Sequence, residues 1–390
     1  MNISASLEAR PKATSGRHRP PFERIALVLQ GGGALGAYQG GVYQALTEAD
    51  LHPDWVAGIS IGAINAAIIC GNPPDQRVER LRSFWEKVSQ SPLGIPGLPL
   101  QYDELTHRLV NQTRALGILL FGAPNFFVPR WPSPFLVPPA NAMSLSFYDV
   151  SPVRTTLEQM VDFELLNSGA TRLSVGTVNI RLGNFLYFDT TTHKIRPDHI
   201  LASGALPPGF PAVEIEGEYY WDGGILSNTP LDWILEAPDR CDTLAFQVDL
   251  WNARGEMPRD LIEADLRQKE IRFSSRTRLS TNRFRKLQCL RRAMWELLKE
   301  LPPSLRQKPH AELLATAADD KVYNLIHLIY HAQNYEGSSK DYEFSRRTME
   351  EHWTAGYHDT VRTLRHPEVL QRPTSLDGIF TFDVATDGRL

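Results

Sequence analysis

Cysteine is scarce in this 390-residue chain: Cys70, Cys241 and Cys289 are odd in number, far apart and never in a CxxC pair. That spacing excludes a disulfide framework or a cysteine-rich zinc module and suits a reducing compartment, so a cytoplasmic location is expected. Long apolar runs are missing too. The longest, Val56 to Cys70, falls short of the roughly 18 to 20 residues a membrane-spanning helix needs. Residues 1–22 mix Arg, Ser and Pro without the apolar centre of a secretory signal and read as a flexible tail. Charge of one sign is not in excess: the formal net charge is −4, which gives no global case for binding nucleic acid. Internal repeats and low-complexity tracts are also missing. With 42% hydrophobic and 22% charged residues, a compact globular protein with a sizeable core is expected.

What is present has a β-α-β-α rhythm. Arg24 to Gln30 is a short apolar run ending at three glycines, which predicts a buried parallel strand, with a helix from about Ala34 to Ala49. Asp54 to Gly58 predicts a second strand and Ile61 to Cys70 its helix, stopped by Gly71-Asn72-Pro73-Pro74. Arg77 to Gln90 has helical spacing, whereas Ser91 to Pro139 is crowded with Pro, Gly and aromatics and predicts little regular structure. Further strands are expected at Arg172 to Val178 and Asn184 to Asp189, pairing as a hairpin, then at Tyr219 to Trp221 and Thr243 to Asp249. Such alternation implies an α/β sheet. From about Leu261 the chain turns Arg-rich and helical with no clear strand before its tail, placing a boundary near Trp251 to Pro258.

Three motifs carry chemistry. Gly58-Ile59-Ser60-Ile61-Gly62 matches G-x-S-x-G, in which a serine stands on a sharp strand-to-helix turn with its hydroxyl projecting. The pattern arises by chance in roughly one chain in eight of this length. Its position between an apolar strand and an apolar helix is what gives it meaning. Gly31-Gly32-Gly33-Ala34-Leu35-Gly36 also ends a strand and opens a helix, leaving backbone N–H groups free for an anion. That anion is either the oxyanion of acyl transfer or a dinucleotide pyrophosphate, since Gly31, Gly33 and Gly36 fit G-x-G-x-x-G and Asp54 lies near the acidic position for a ribose. Trp221-Asp222-Gly223-Gly224 puts an aspartate at a strand end beside two residues without side chains. Burial there would raise the Asp222 pKa and make it a better base for a serine hydroxyl; the bland reading is an Asp-Gly turn.

In this order the three motifs resemble the patatin-like phospholipase family, over roughly Ile25 to Leu250. Ala202 to Pro211 and Ser227-Asn228-Thr229-Pro230 look like that family as well. The resemblance implies a patatin-like three-layer αβα sandwich with a mainly parallel central sheet over residues 23–250, and a mostly helical C-terminal extension over 251–390. It implies a lipid acyl hydrolase with a Ser60–Asp222 dyad and an acyl-enzyme, an oxyanion hole from Gly31, Gly32, Gly33, Ala34, Leu35 and Gly36, and motif support from Gly58, Gly62, Gly223 and Gly224. A lipid ester is the expected substrate, with no metal or organic cofactor. Many members carry Arg or Lys where this chain has Leu35, which removes a cationic contribution near the oxyanion or a lipid phosphate.

Other features are less specific. Ile271 to Met294 carries Arg272, Arg276, Arg278, Arg283, Arg285, Lys286, Arg291 and Arg292 without an acid, suiting either an anionic membrane surface or a solvated helix face. Leu116 to Val137, with Phe121, Phe126, Phe127, Trp131 and Phe135, suits a lid or acyl funnel or plain packing. His327 and His331 have the spacing of two ligands on one helical face but lack a zincin glutamate, so a structural role is expected. Three other functions fit some of the motifs: a Ser-acid-His triad using His310, His327, His331, His352, His358 or His366, a nucleotide-binding oxidoreductase built on Gly31 to Gly36, and a non-catalytic lipid-binding adaptor. Histidine substitution, NAD(P) binding and fluorophosphonate labelling of Ser60 separate them.

Overall fold

The computed structural model describes residues 19–90, 104–136, 145–274, 277–332 and 336–383. The expected tail, up to residue 18, lies outside them; Phe22, at its far end, is already packed in the core. Nine strands form the central sheet: β1 (Arg24–Leu29), β2 (Trp55–Gly58), β3 (Arg172–Asn179), β4 (Phe185–Asp189), β5 (Val213–Ile215), β6 (Glu218–Asp222), β7 (Thr243–Asp249), β8 (Tyr323–Ile329) and β9 (Ile379–Asp383). Their spatial order is β9-β8-β7-β1-β2-β3-β6-β5, with β4 also paired to β3. The ladders from β9 to β3 are parallel, and those involving β4, β5 and β6 are antiparallel.

Alternation along β1 explains the layering. Ile25, Leu27 and Leu29 face one core, together with α1 (Ala37–Glu48), α2 (Ile61–Cys70) and the helix Arg346–Thr363. Ala26 and Val28 face a second core, where Leu231, Ile234, Leu235 and Phe284 come from helices on the other side. Because successive strand side chains point to opposite faces, both sheet faces are covered and the fold is a three-layer αβα sandwich.

Two expectations fail. Glu104–Phe121 is an 18-residue helix where little regular structure was predicted. Beyond Leu261, β8 interrupts the helical region and, with β9, extends the same sheet in parallel from β7. The helix Arg346–Thr363 lies directly on α1: an added Cβ at Gly41 would stand 1.8 Å from the Trp353 carbonyl oxygen, and one at Gly356 2.0 Å from that of Tyr38. The basic stretch falls on the helices Leu261–Phe273 and Thr277–Glu300, with Arg276 outside the described residues. Part of its charge is spent on internal contacts: Arg285 donates to Thr381 Oγ1 at 2.9 Å, and Arg292 to the carbonyls of Asp320 at 2.7 Å and Leu376 at 3.1 Å. His327 lies on β8, so its four-residue spacing to His331 is not a helical turn. Burial pushes its pKa down to about 4.

Candidate active site

Strand order reverses at β1: β2 and β3 lie to one side, β7, β8 and β9 to the other. In open parallel sheets the crevice outside the carboxyl ends of strands at such a point is the natural binding place. Leu29 pairs with Gly58, so the glycine turn after β1 and the serine turn after β2 emerge side by side there.

Ser60 has φ 56° and ψ −124°, a conformation that L side chains rarely adopt. It is the strained turn between strand and helix that the motif predicts. Gly62 permits it, because a Cβ there would lie 2.3 Å from the Leu29 carbonyl oxygen. Ser203 holds it: its Oγ accepts the Ser60 N–H at 2.9 Å and donates to the Gly176 carbonyl at 2.7 Å. Ser203→Ala would leave both buried groups unpaired, at about 1–3 kcal/mol. The variant should melt earlier and lose kcat rather than KM, measurable by thermal unfolding and ester kinetics side by side.

Asp222 ends β6, which reaches the site antiparallel to β3 through the pair Thr177–Asp222. Asp222 is 2% exposed, accepts the Gly224 N–H at 2.7 Å and lines the same cavity as Ser60. Burial pushes its pKa up to about 7, with the Gly224 N–H bond and the neighbouring Ser60 side chain pulling the other way.

The glycine turn is held from several sides. The Gly31 carbonyl accepts Asn228 Nδ2 at 2.9 Å and Trp251 Nε1 at 3.0 Å. The N–H groups of Gly31, Ala34 and Leu35 are spent on the carbonyls of Asn228, Asp341 and Gly32. For the N–H groups of Gly32 and Gly33 no acceptor is found among the described residues, and both glycines line the same cavity as Ser60. Of the three glycines that line the cavity, Gly31, Gly32 and Gly33, only the last two thus have an N–H without an acceptor among the described residues. Gly33 has φ 55°, and a Cβ there would stand 2.1 Å from the Asp341 carbonyl oxygen. Leu35 is wholly buried in the core and does not line the cavity, so its identity does not set the charge beside Ser60.

The cavity measures about 430 Å³. Ile64, Phe126, Phe127, Leu206, Phe210 and Phe344 give it apolar walls, as an acyl chain requires. The aromatic segment thus splits: Phe126 and Phe127 wall the cavity, while Trp131 and Phe135 are 93% and 84% exposed. Val137 lies outside the described residues.

Two alternatives do not fit. Asp54 accepts the Ile25 N–H at 2.7 Å and pairs with Arg19, at the opposite end of β1 from Gly31, where no ribose on the glycine turn would reach it. No histidine lines the cavity among the described residues. His352 sits behind the turn instead, with Nδ1 3.4 Å from the Ala34 carbonyl oxygen and Nε2 3.3 Å from Glu336.

A model of the patatin-like phospholipase family matches residues 27–233, over half the chain. The chain belongs to that family. A second model, described as patatin phospholipase, matches residues 271–376. Neuropathy target esterase sws of Drosophila sechellia and of Drosophila melanogaster are each 41% identical over 63 residues, 16% of this chain. The match spans only 4% of the length of those curated relatives. Among solved structures, VipD from Legionella pneumophila is similar with 16% identity and a TM-score of 0.40, over 93% of this chain and 72% of that one. The type III effector protein ExoU is similar with 15% identity and a TM-score of 0.31, over 90% and 54%.

Within this patatin-like frame, Ser203, Asn228, Trp251 and Asp341 support the two turns without belonging to any of the three motifs. Ser203 and Asn228 stand in stretches already noted for their likeness to the family. Trp251 and Asp341 have no local signal, since their role exists only through contacts over some 200 to 300 residues of chain.

Proposed function

We infer that this chain is a serine lipid acyl hydrolase in which Ser60 attacks a carboxylic ester of a lipid. Asp222 takes the serine proton and passes it to the leaving alcohol, giving an acyl-enzyme; it then draws a proton from water for the second step. The Gly32 and Gly33 amides stabilise the oxyanion. The observation that carries this reading is a buried carboxylate, with its pKa raised to about 7, that lines one apolar cavity together with Ser60 and influences, and is influenced by, that side chain. An ordinary carboxylate would be too weak a base near neutral pH. Phospholipase A-like or lysophospholipase-like cleavage is the reading for the substrate, supported by family membership and the apolar walls.

A fluorophosphonate should label the protein at Ser60, and Ser60→Ala should abolish both labelling and ester release, read by intact mass and fatty-acid product. Labelling that survives in Ser60→Ala would end the proposal. Liposome binding without labelling of the parent would favour the adaptor.

Lipid is met at a surface. No helix among the described residues is long and apolar enough to cross a membrane. Trp131, Phe135 and Leu136 stand exposed, and the ladder Val128–Pro129 with Tyr148–Asp149 joins their segment to Tyr148, which lines the cavity. Exposed large apolar groups beside an apolar cavity favour peripheral contact through this rim. The anionic contact considered for the basic stretch has less support, since part of that charge is engaged internally.

A further inference from the structure

Beyond the reacting groups, the cavity holds a cation. Among the described residues that line it, the charged side chains are Asp222, Lys269 and Asp341. Lys269, from the helix Leu261–Phe273, is about a quarter exposed; its Nζ lies 2.6 Å from Asp341 Oδ1 and 3.5 Å from the Ser338 carbonyl. The same ammonium stands 5.7 Å from the Trp251 ring centre and 5.4 Å from that of Tyr342, both cavity-lining. Asp341 in turn accepts the Ala34 N–H at 2.8 Å through its main-chain carbonyl. The ammonium is therefore anchored through one residue to the turn whose free amides lie beside Ser60.

We propose that Lys269 is a specificity-determining residue that receives the phosphate of a glycerophospholipid or lysophospholipid ester while the ester carbonyl lies at the Gly32–Gly33 amides. The proposal rests on the hydrolase reading and deepens it. Ser60 cannot discriminate among head groups, because every acyl ester presents the same carbonyl. Lys269 can, because an anion facing low-dielectric walls gains a charge-assisted hydrogen bond that a neutral alcohol does not. Asp341 keeps the ammonium in place when no anion is bound and tempers the affinity when one is. Lys340 provides the contrast: it is 3% exposed, pairs with Glu270 at 2.7 Å and does not line the cavity. Lys340 is a structural lysine; Lys269, though paired with Asp341, is the one that faces the cavity.

The test compares kcat/KM on a lysophospholipid and on a monoacylglycerol with the same acyl chain. Lys269→Met should lower the ratio of the two about tenfold, the loss of one charge-assisted contact. Lys269→Arg should keep most of the ratio, and Asp341→Asn should raise it. An unchanged ratio in Lys269→Met, whether both rates fall together or neither moves, overturns the proposal, because a lysine that only braces the glycine turn would affect both esters alike. Inorganic phosphate that competes with monoacylglycerol in the parent but not in Lys269→Met indicates recognition of the anion itself. A changed ratio without such competition indicates recognition of phosphate only when the lipid carries it. A parent that neither hydrolyses the esters nor is labelled by a fluorophosphonate refutes the Ser60 reading instead, so the two failures are distinguishable.

Discussion

Asp222→Asn is expected to lose roughly 10²- to 10⁴-fold in ester turnover, the range for removing a general base, and yet to be more stable than the parent above pH 7. Both effects come from one fact, that burial pushes the Asp222 carboxyl from 3.8 up to about 7. In the unfolded chain the group ionises near its ordinary value; in the fold it holds its proton until about pH 7. The parent therefore has its full stability below about pH 4, loses it as pH rises through about 7, and is flat above. Holding a proton from 3.8 up to about 7 amounts to about 4 kcal/mol. Asparagine carries no such charge but can still accept the Gly224 N–H. Denaturant midpoints at pH 4, 6 and 8 should show its advantage grow between pH 4 and 7 and then level off. The parent's kcat/KM should rise with unit slope below pH 7 to a plateau, as required for a base that works unprotonated. A parent whose activity is flat from pH 5 to 8 would remove Asp222 from that role.

Ending the chain at Leu250 is expected to yield no soluble folded product, although the residues 27–233 that match the patatin-like model would all be retained. All seven residues of β7 are buried, and β8 covers one of its edges. Without β8 and β9, that edge presents a parallel row of open backbone groups beside exposed Leu244 and Phe246, a template for aggregation. The same cut removes Trp251 and Asp341, which hold the glycine turn from outside. Expression of residues 19–250 followed by size-exclusion chromatography and fluorophosphonate labelling checks this. A monomeric, labelled fragment with a cooperative melt would mean that the turn keeps its shape unaided.

β1 and β2 were legible because each is a short apolar run that ends at or just before glycine, and the helix Ile61–Cys70 was read to the residue. The hidden parts are those where burial is polar. In the helix Glu104–Phe121 the buried stripe is His107, Asn111, Ala115 and Ile118, with helical spacing but too little apolar character to stand out among neighbouring prolines and aromatics. β8 escaped because buried Asn324 and His327 break its apolar run, and Asn324 Nδ2 finds its acceptors only in the distant carbonyls of Val369 and Gln371. Ser60 and Asp222 announced themselves through local turn chemistry. Which amides of Gly31 to Gly36 remain free depends on Asn228 and Asp341, and no window around the glycines contains that information.

Where α1 meets the helix Arg346–Thr363, Gly41 and Gly356 leave room for hydrogen alone. A joint with no side chains between two backbones has no slack to absorb drift, so these two segments, about 300 residues apart in sequence, are obliged to change in concert. Chimeras that graft the last third of one relative onto the first two thirds of another would inherit this joint only when both parents shape it alike.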